Sequence, residues 1–207
     1  MILALGSQPK LDVCPRILSL SSDVQSIITR HDPGRWSKTL AHRPKAELPF
    51  DPFQVPTKSA LLFDATVYID QLKGQLPRPI VDLVAARTIL HGAPALAELA
   101  VTIGALDPAD RRTQATLTPI IEVLTRINPA RIIVPSYEIW LEAAVLAGIL
   151  ARTQAIPRQD RRKFLNDTLL FLQAANTGAV MLSRNSRDLD LLLQMKPQVG
   201  VLLYDRD

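Results

Sequence analysis

From residue 58 onward, apolar residues fall into short unbroken runs that alternate with longer stretches at helical spacing. Ala60-Leu61-Leu62-Phe63 has no polar interruption and ends at Asp64, the pattern of a strand buried on both faces. Similar runs predict strands at Ile132-Ile133-Val134, Val180-Met181-Leu182 and Val199–Leu203. Between them the spacing predicts helices. One covers Val67–Gln75 and closes near Gly74 and Pro77. A second amphipathic stretch, Pro79–Leu90, is broken by His91-Gly92, and Pro94 opens a third helix that carries Glu98. Asp107-Pro108 reads as the start of a helix to Ile127, and Ser136 as the cap of one to Ala151. A long helix follows over Asp160–Asn176, ended by Gly178, and a short one over Asp188–Leu193. Strands separated by helices imply parallel pairing with right-handed crossovers, so the fold class is α/β. In such sheets, sites form at the carboxyl ends of strands.

Residues 1–57 have a different pattern. Pro44, Pro49, Pro52 and Pro56 each fix φ and remove a backbone donor, which suits an extended linker or a strap lying on a surface. Before them, Ser21-Ser22-Asp23 reads as the cap of a short helix through Ile27 and Ile28, stopped by Pro33-Gly34. The expected division is an irregular N-terminal extension, 1–57, and a folded domain, 58–207. Trp36 would anchor the strap or a partner, and Trp140 would belong to the core or an oligomer face.

Composition narrows the classes. With 47% hydrophobic and 21% charged residues, the 207-residue chain can close a core and is not a disordered polyelectrolyte. The single cysteine, Cys14, cannot make an internal disulfide, which fits a reducing cytoplasm. No stretch approaches the ~20 apolar residues of a spanning helix, and Met1–Gly6 is a poor signal peptide, so a cytoplasmic protein with no membrane partner is expected. The net charge of +4 is spread evenly, with 7 basic and 5 acidic side chains in 1–57 against 17 and 15 in 58–207. Any basic surface for nucleic acid must therefore be assembled by folding.

Four acids stand out. Asp64 directly follows a buried strand, where a carboxylate is costly unless compensated; capping the next helix is its alternative role. Asp167 shares the face Phe164, Asp167, Phe171 at i, i+3, i+7 spacing, a lone acid among aromatics. Glu98 and Asp188 are unexceptional alone, as a helix-favouring Glu and a helix-capping Asp. All four fall where strands end or helices begin, so a parallel sheet would gather them at one edge. Clustered carboxylates repel each other, and a bound cation removes that penalty. Oxygen ligands without His or Cys favour Mg²⁺ or Mn²⁺ over zinc. Asp70 and Asp190 read as a turn residue and a surface residue, and His31, His42 and His91 as scattered loop residues.

These residues resemble the motifs of the PIN domain family. Phe63-Asp64-Ala65-Thr66-Val67-Tyr68-Ile69-Asp70 is similar to its opening motif, and Ala97-Glu98-Leu99 and Asn166-Asp167-Thr168-Leu169-Leu170 to the surroundings of its second and third acids. Gly178–Leu189 resembles the closing motif, with Ser183, Asn185 and Asp188 in its polar positions. Ala65, Thr66, Ser183 and Leu189 depart from the usual residues, although Thr66 and Ser183 keep a hydroxyl. The resemblance covers roughly 58–207 and is most like VapC-type toxins of toxin–antitoxin pairs; residues 1–57 lie outside it.

The resemblance implies a three-layer α/β/α fold on a central parallel sheet of four to five strands. It implies a metal-dependent endoribonuclease, with Asp64, Glu98, Asp167 and Asp188 as catalytic metal ligands for Mg²⁺ or Mn²⁺ and Thr66, Ser183 and Asn185 supporting them. Its partners would be RNA, a cognate antitoxin and a second copy of the chain in a homodimer. Arg184 and Arg187 would grip RNA phosphates or remain solvated loop arginines. Arg158, Arg161, Arg162 and Lys163 place positive charge at a helix N-terminus against the dipole, for RNA backbone or an acidic partner to offset, or as a plain exposed turn. The competing readings are a housekeeping RNA-processing nuclease and a catalytically silent PIN-like module that binds RNA or protein.

Overall fold

The structure is a computed structural model that describes residues 16–206, with side chains from residue 23 onward. Met1–Gly6 and Cys14 lie outside the described residues. Helix α1 covers Arg16–His31, so Ser21-Ser22-Asp23 lies inside it and does not cap it. The strap that follows contains two short 3₁₀ turns, Lys45–Glu47 and Pro52–Gln54. Then come β1 (Leu61–Phe63), α2 (Ala65–Leu72), α3 (Arg78–Ala85), β2 (Ile89–Gly92), α4 (Ala93–Ala105), α5 (Thr113–Arg126) and β3 (Ile132–Ile133). The chain closes with α6 (Tyr137–Thr153), α7 (Arg161–Thr177), β4 (Val180–Ser183), α8 (Ser186–Met195) and β5 (Val201–Leu203).

The five strands form one parallel sheet in the order β3-β2-β1-β4-β5. Leu61 and Leu62 of the central strand are wholly buried, as the unbroken apolar run requires. Helices cover the sheet: α4 packs on β2, α7 on β4, and α6 and α8 on α7, with α1 lying outermost on α6. The chain fills one side of β1 with β2 and β3, then crosses to the other side with β4 and β5. The order therefore reverses between β1 and β4, and the crevice at their carboxyl ends is where such sheets place ligands.

Several local expectations change. Ile89-Leu90-His91-Gly92 is a strand that pairs with β1 at Leu61, Leu62 and Phe63, not the frayed end of a helix. Helix α5 begins at Thr113, because Asp107 caps a separate turn: Oδ1 accepts from the Ala109 N–H at 2.9 Å, and its carbonyl takes the Thr113 hydroxyl at 2.5 Å. Helix α8 starts at Ser186 with Asn185 as its cap, two residues earlier than Asp188 would place it. Trp140 is 45% exposed and is not core. Asp70 and Asp190 are 0% and 1% exposed, neither turn nor surface residues. Among the described residues, no helix is long and apolar enough to cross a membrane.

The strap is tied along its length to the domain. Leu203 N–H donates to the Pro49 carbonyl at 2.8 Å and the Thr39 hydroxyl to the Thr153 carbonyl at 2.9 Å; Val55 is buried in the common core. Trp36 Nε1 donates to the His31 carbonyl at 3.1 Å, which pins the turn after α1.

Gly92 ends β2 and caps α4 at a close approach to α7. A Cβ there would run into Leu170 Cδ2 and lie 3.0 Å from Gln173 Oε1. Leu170 is wholly buried and cannot swing aside. Gly92→Ala is expected to cost about 1–3 kcal/mol, the usual cost of overpacking, read as a fall in the urea midpoint at unchanged slope.

Candidate metal centre

Asp64 follows β1 and caps α2. Its Oδ1 accepts from the Ala65 N–H at 2.6 Å. Its Oδ2 accepts the Thr66 hydroxyl at 2.7 Å and, from the neighbouring strand β4, the Ser183 hydroxyl at 2.6 Å. The carboxylate is 2% exposed, so the two hydroxyls and the N–H supply the compensation that burial requires. The two hydroxyls are themselves fixed. Thr66 Oγ1 accepts from the Arg184 N–H at 3.2 Å, and Ser183 Oγ from the Asn185 N–H at 2.9 Å. The turn after β4 is thereby built onto the end of β1.

Asn185 links two more acids. Its Nδ2 donates to Asp167 Oδ2 at 2.9 Å and to Asp188 Oδ2 at 2.8 Å. Asp167 projects from the buried face of α7 and is 2% exposed. Its carboxyl is pushed well above the usual range, first by burial, then by the charges of Asp64 and Asp188, with Glu98 adding to them against Lys163. Glu98, half-buried on α4, is raised by burial and then by Asp64, with Lys163 and Arg162 opposing. The four acids thus share one electrostatic neighbourhood, with Asp167 feeling the other three.

The donor set is entirely carboxylate, hydroxyl and amide, which suits a hard divalent cation. Charge crowding at Asp167 is the penalty that such a cation would relieve. The oxygens do not yet converge: among the described residues, no three His, Cys, Asp or Glu side chains stand close enough to cage a metal ion.

The basic residues divide. Arg184 Nε donates to Asp70 Oδ2 at 2.8 Å, so this guanidinium is partly committed inside the protein. Asp70 also accepts from the Tyr204 hydroxyl at 2.9 Å and from Arg206. Burial alone would raise its carboxyl, but these donors together hold it below the usual range. Arg187 is exposed beside Asp188; among the described residues neither it nor Lys163, exposed at the start of α7, makes a side-chain hydrogen bond or a contact ion pair, although the Lys163 charge is felt by Asp167 and Glu98.

Sequence reasoning missed this Asp70 network, whose partners lie more than a hundred residues away; the one local signal is that Asp70 shares an i, i+3 face with the buried Val67. It also missed His91, which lies in β2 with Nδ1 2.6 Å from the Tyr68 hydroxyl. Burial, then the Arg131 charge, lowers the affinity of this imidazole for a proton.

No family model matches the chain, and no curated protein matches it. Among solved structures, the chain is similar in fold to two protein–DNA complexes. One is VapBC2 from Rickettsia felis bound to a DNA fragment from its promoter, with a TM-score of 0.50 and 15% identity over 70% of this chain and 99% of the other. The second is FitAB bound to an IR36 DNA fragment, with a TM-score of 0.45 and 14% identity over 69% of this chain and 94% of the other. The fold is PIN-like: a parallel five-stranded sheet between helical layers.

Proposed function

We propose that the chain is a divalent-metal-dependent endoribonuclease whose Asp64, Glu98, Asp167 and Asp188 hold Mg²⁺ or Mn²⁺. The observation that carries this reading is Asp167: an acid 2% exposed, crowded by three other carboxylates and, among the described residues, hydrogen-bonded at its carboxylate only by a neutral amide. A buried, self-repelling acid cluster at the switch point of a parallel sheet is a costly arrangement that a cation site explains. The metal would supply Lewis-acid polarisation of the phosphate and a more acidic water. The chain itself contributes orientation. Thr66 and Ser183 fix one oxygen of the Asp64 carboxylate and the Ala65 N–H the other, and Asn185 holds Asp167 and Asp188 in register. Arg187 and Lys163 are free to meet RNA phosphates, whereas Arg184 mainly ties the closing turn to Asp70.

The order of the motifs extends the reading to the toxin of a toxin–antitoxin pair, with a cognate antitoxin and a second copy of the chain as partners. On this reading 58–207 is the nuclease domain and 1–57 its N-terminal extension. One observation favours the silent-module alternative, namely that among the described residues no three acids close into a cage. A cleavage assay separates the two. Purified protein with structured RNA should cut in Mn²⁺ and not in EDTA, and Asp64→Asn should lose the activity. Equal background for parent and variant rejects the enzyme.

A further inference from the structure

A cavity of about 550 Å³ opens beside the acids, between the start of α7, the turn after β4 and the strap. Its wall includes Lys163, Phe164, Asn185, Arg187 and Asp188, and also His42 from the strap. This size is in the range of sites that bury a small ligand. We propose that this cavity seats a nucleotide next to the cleaved phosphate of single-stranded RNA, and that His42, held by Asp190, forms part of the substrate-binding wall. The proposal rests on the ribonuclease reading and assigns the strap a part in it.

The lining favours a polynucleotide. Lys163 and Arg187 bring two cations to the cavity that make no contact ion pair among the described residues. Lys163 also lines a second recess, of about 320 Å³, together with Glu98 and Arg162. Positive side chains therefore line both the cavity at Asp188 and the recess at Glu98, as a strand of phosphates passing the acids requires. Ile156 and Pro157 supply an apolar patch on the same wall for the base, with Phe164 buried beneath it.

The strap is placed at this cavity by one buried acid. Asp190, 1% exposed, accepts from the Arg43 N–H at 3.0 Å, Arg43 Nε at 2.7 Å and His42 Nδ1 at 3.1 Å. Gln194 Nε2 donates to Asp190 at 3.3 Å and to the Ala41 carbonyl at 3.0 Å, so three successive strap residues are clamped. Because the carboxylate can only accept from Nδ1, the imidazole tautomer is set, and Nε2 is left to meet a ligand. His42 is thus a substrate-contact residue and Asp190 and Arg43 are positioning residues. A strap that merely covered the acids would behave in the opposite way when loosened.

The test uses the full chain carrying Asp64→Asn and a fluorescein-labelled, mixed-sequence single-stranded RNA oligonucleotide, read by anisotropy. Adding His42→Ala or Arg43→Ala is expected to weaken binding about five- to tenfold, the worth of one well-placed hydrogen bond, with Arg43→Lys partly restoring it. In the cleaving chain the same changes should raise KM more than they lower kcat. RNA should also increase amide-exchange protection over residues 40–44, a readout that does not depend on any variant folding. Unchanged affinity in both strap variants, with binding lost in Lys163→Ala, overturns the strap's role and leaves the ribonuclease reading intact. Tighter binding or faster cutting on loosening makes the strap a cover and overturns it as well. No RNA binding by the parent background rejects both readings.

Discussion

Asp167→Asn is expected to raise the melting temperature in EDTA while removing Mn²⁺-dependent cleavage. The stabilisation follows from burial and charge. Asp167 is 2% exposed and carries the repulsion of Asp64, Asp188 and Glu98. Asparagine has the same shape and keeps a carbonyl oxygen to accept from Asn185 Nδ2, now at 2.9 Å from the carboxylate. It loses only the charge. In a chain of this size each kcal/mol relieved moves the midpoint by roughly 2–4 °C. The loss of activity follows from the same change, because a neutral amide is a much weaker ligand for a hard cation; a fall of at least about a hundredfold is expected. Metal supplies a third readout. Mn²⁺ at a hundred times its dissociation constant should stabilise the parent by ~2.7 kcal/mol, and the variant far less. A lower midpoint in EDTA with an equal metal response in both proteins would reduce Asp167 to a packing partner of Asn185. Opposite signs for stability and activity identify a residue kept for chemistry at the expense of the fold.

Whether a feature was legible in the sequence depended on how local its cause is. Strand β1 and Asp64 were legible because four apolar residues followed by an acid admit few other readings. Asp167 was legible because an acid breaks an aromatic face of helical period, and α7 buries that face as the period demands. Gly178 stops α7 in the left-handed region, at φ 67°, as expected of glycine after a helix. Strand β2 was not legible: its two apolar residues adjoin a helical stretch, and it is a strand because β1 and β3 flank it. Asp70 and Asp190 show the same limit more strongly. Their neighbours in sequence are ordinary helix residues, and the arginines that bury them come from 184 and 206 in one case and from 43 in the other. Thr66, Ser183 and Asn185 were legible through their motifs, but their bonds to particular carboxylate oxygens emerge only where β1 and β4 lie side by side.

Glu142→Gln is expected to loosen α1 from the domain, and the loss should shrink in acid. Glu142 lies on α6 and gathers three basic side chains. His31 Nε2 is 2.8 Å from Oε1, Lys196 Nζ donates to Oε1 at 2.7 Å, and Arg30 reaches Oε2 at 3.4 Å. His31 closes α1 and Lys196 follows α8, so one carboxylate joins three helices. Burial alone would raise this carboxyl, but the hydrogen bonds from His31 and Lys196 outweigh it and push it down to about 2 from 4.5. A carboxyl held below its unfolded value adds stability above 4.5 and loses it as pH falls toward 2. With the side chain only 13% exposed, the shift corresponds to about 3 kcal/mol at neutral pH. The variant also leaves the Lys196 ammonium, 15% exposed, without its counterion, which adds to the cost. Urea unfolding of parent and variant should therefore differ by about 3 kcal/mol or more at pH 7, and by about 1 kcal/mol less at pH 3.5, since the carboxylate's share is then partly lost. A difference that is the same at both pH values would mean that the shape of the side chain, and not its charge, holds α1 in place.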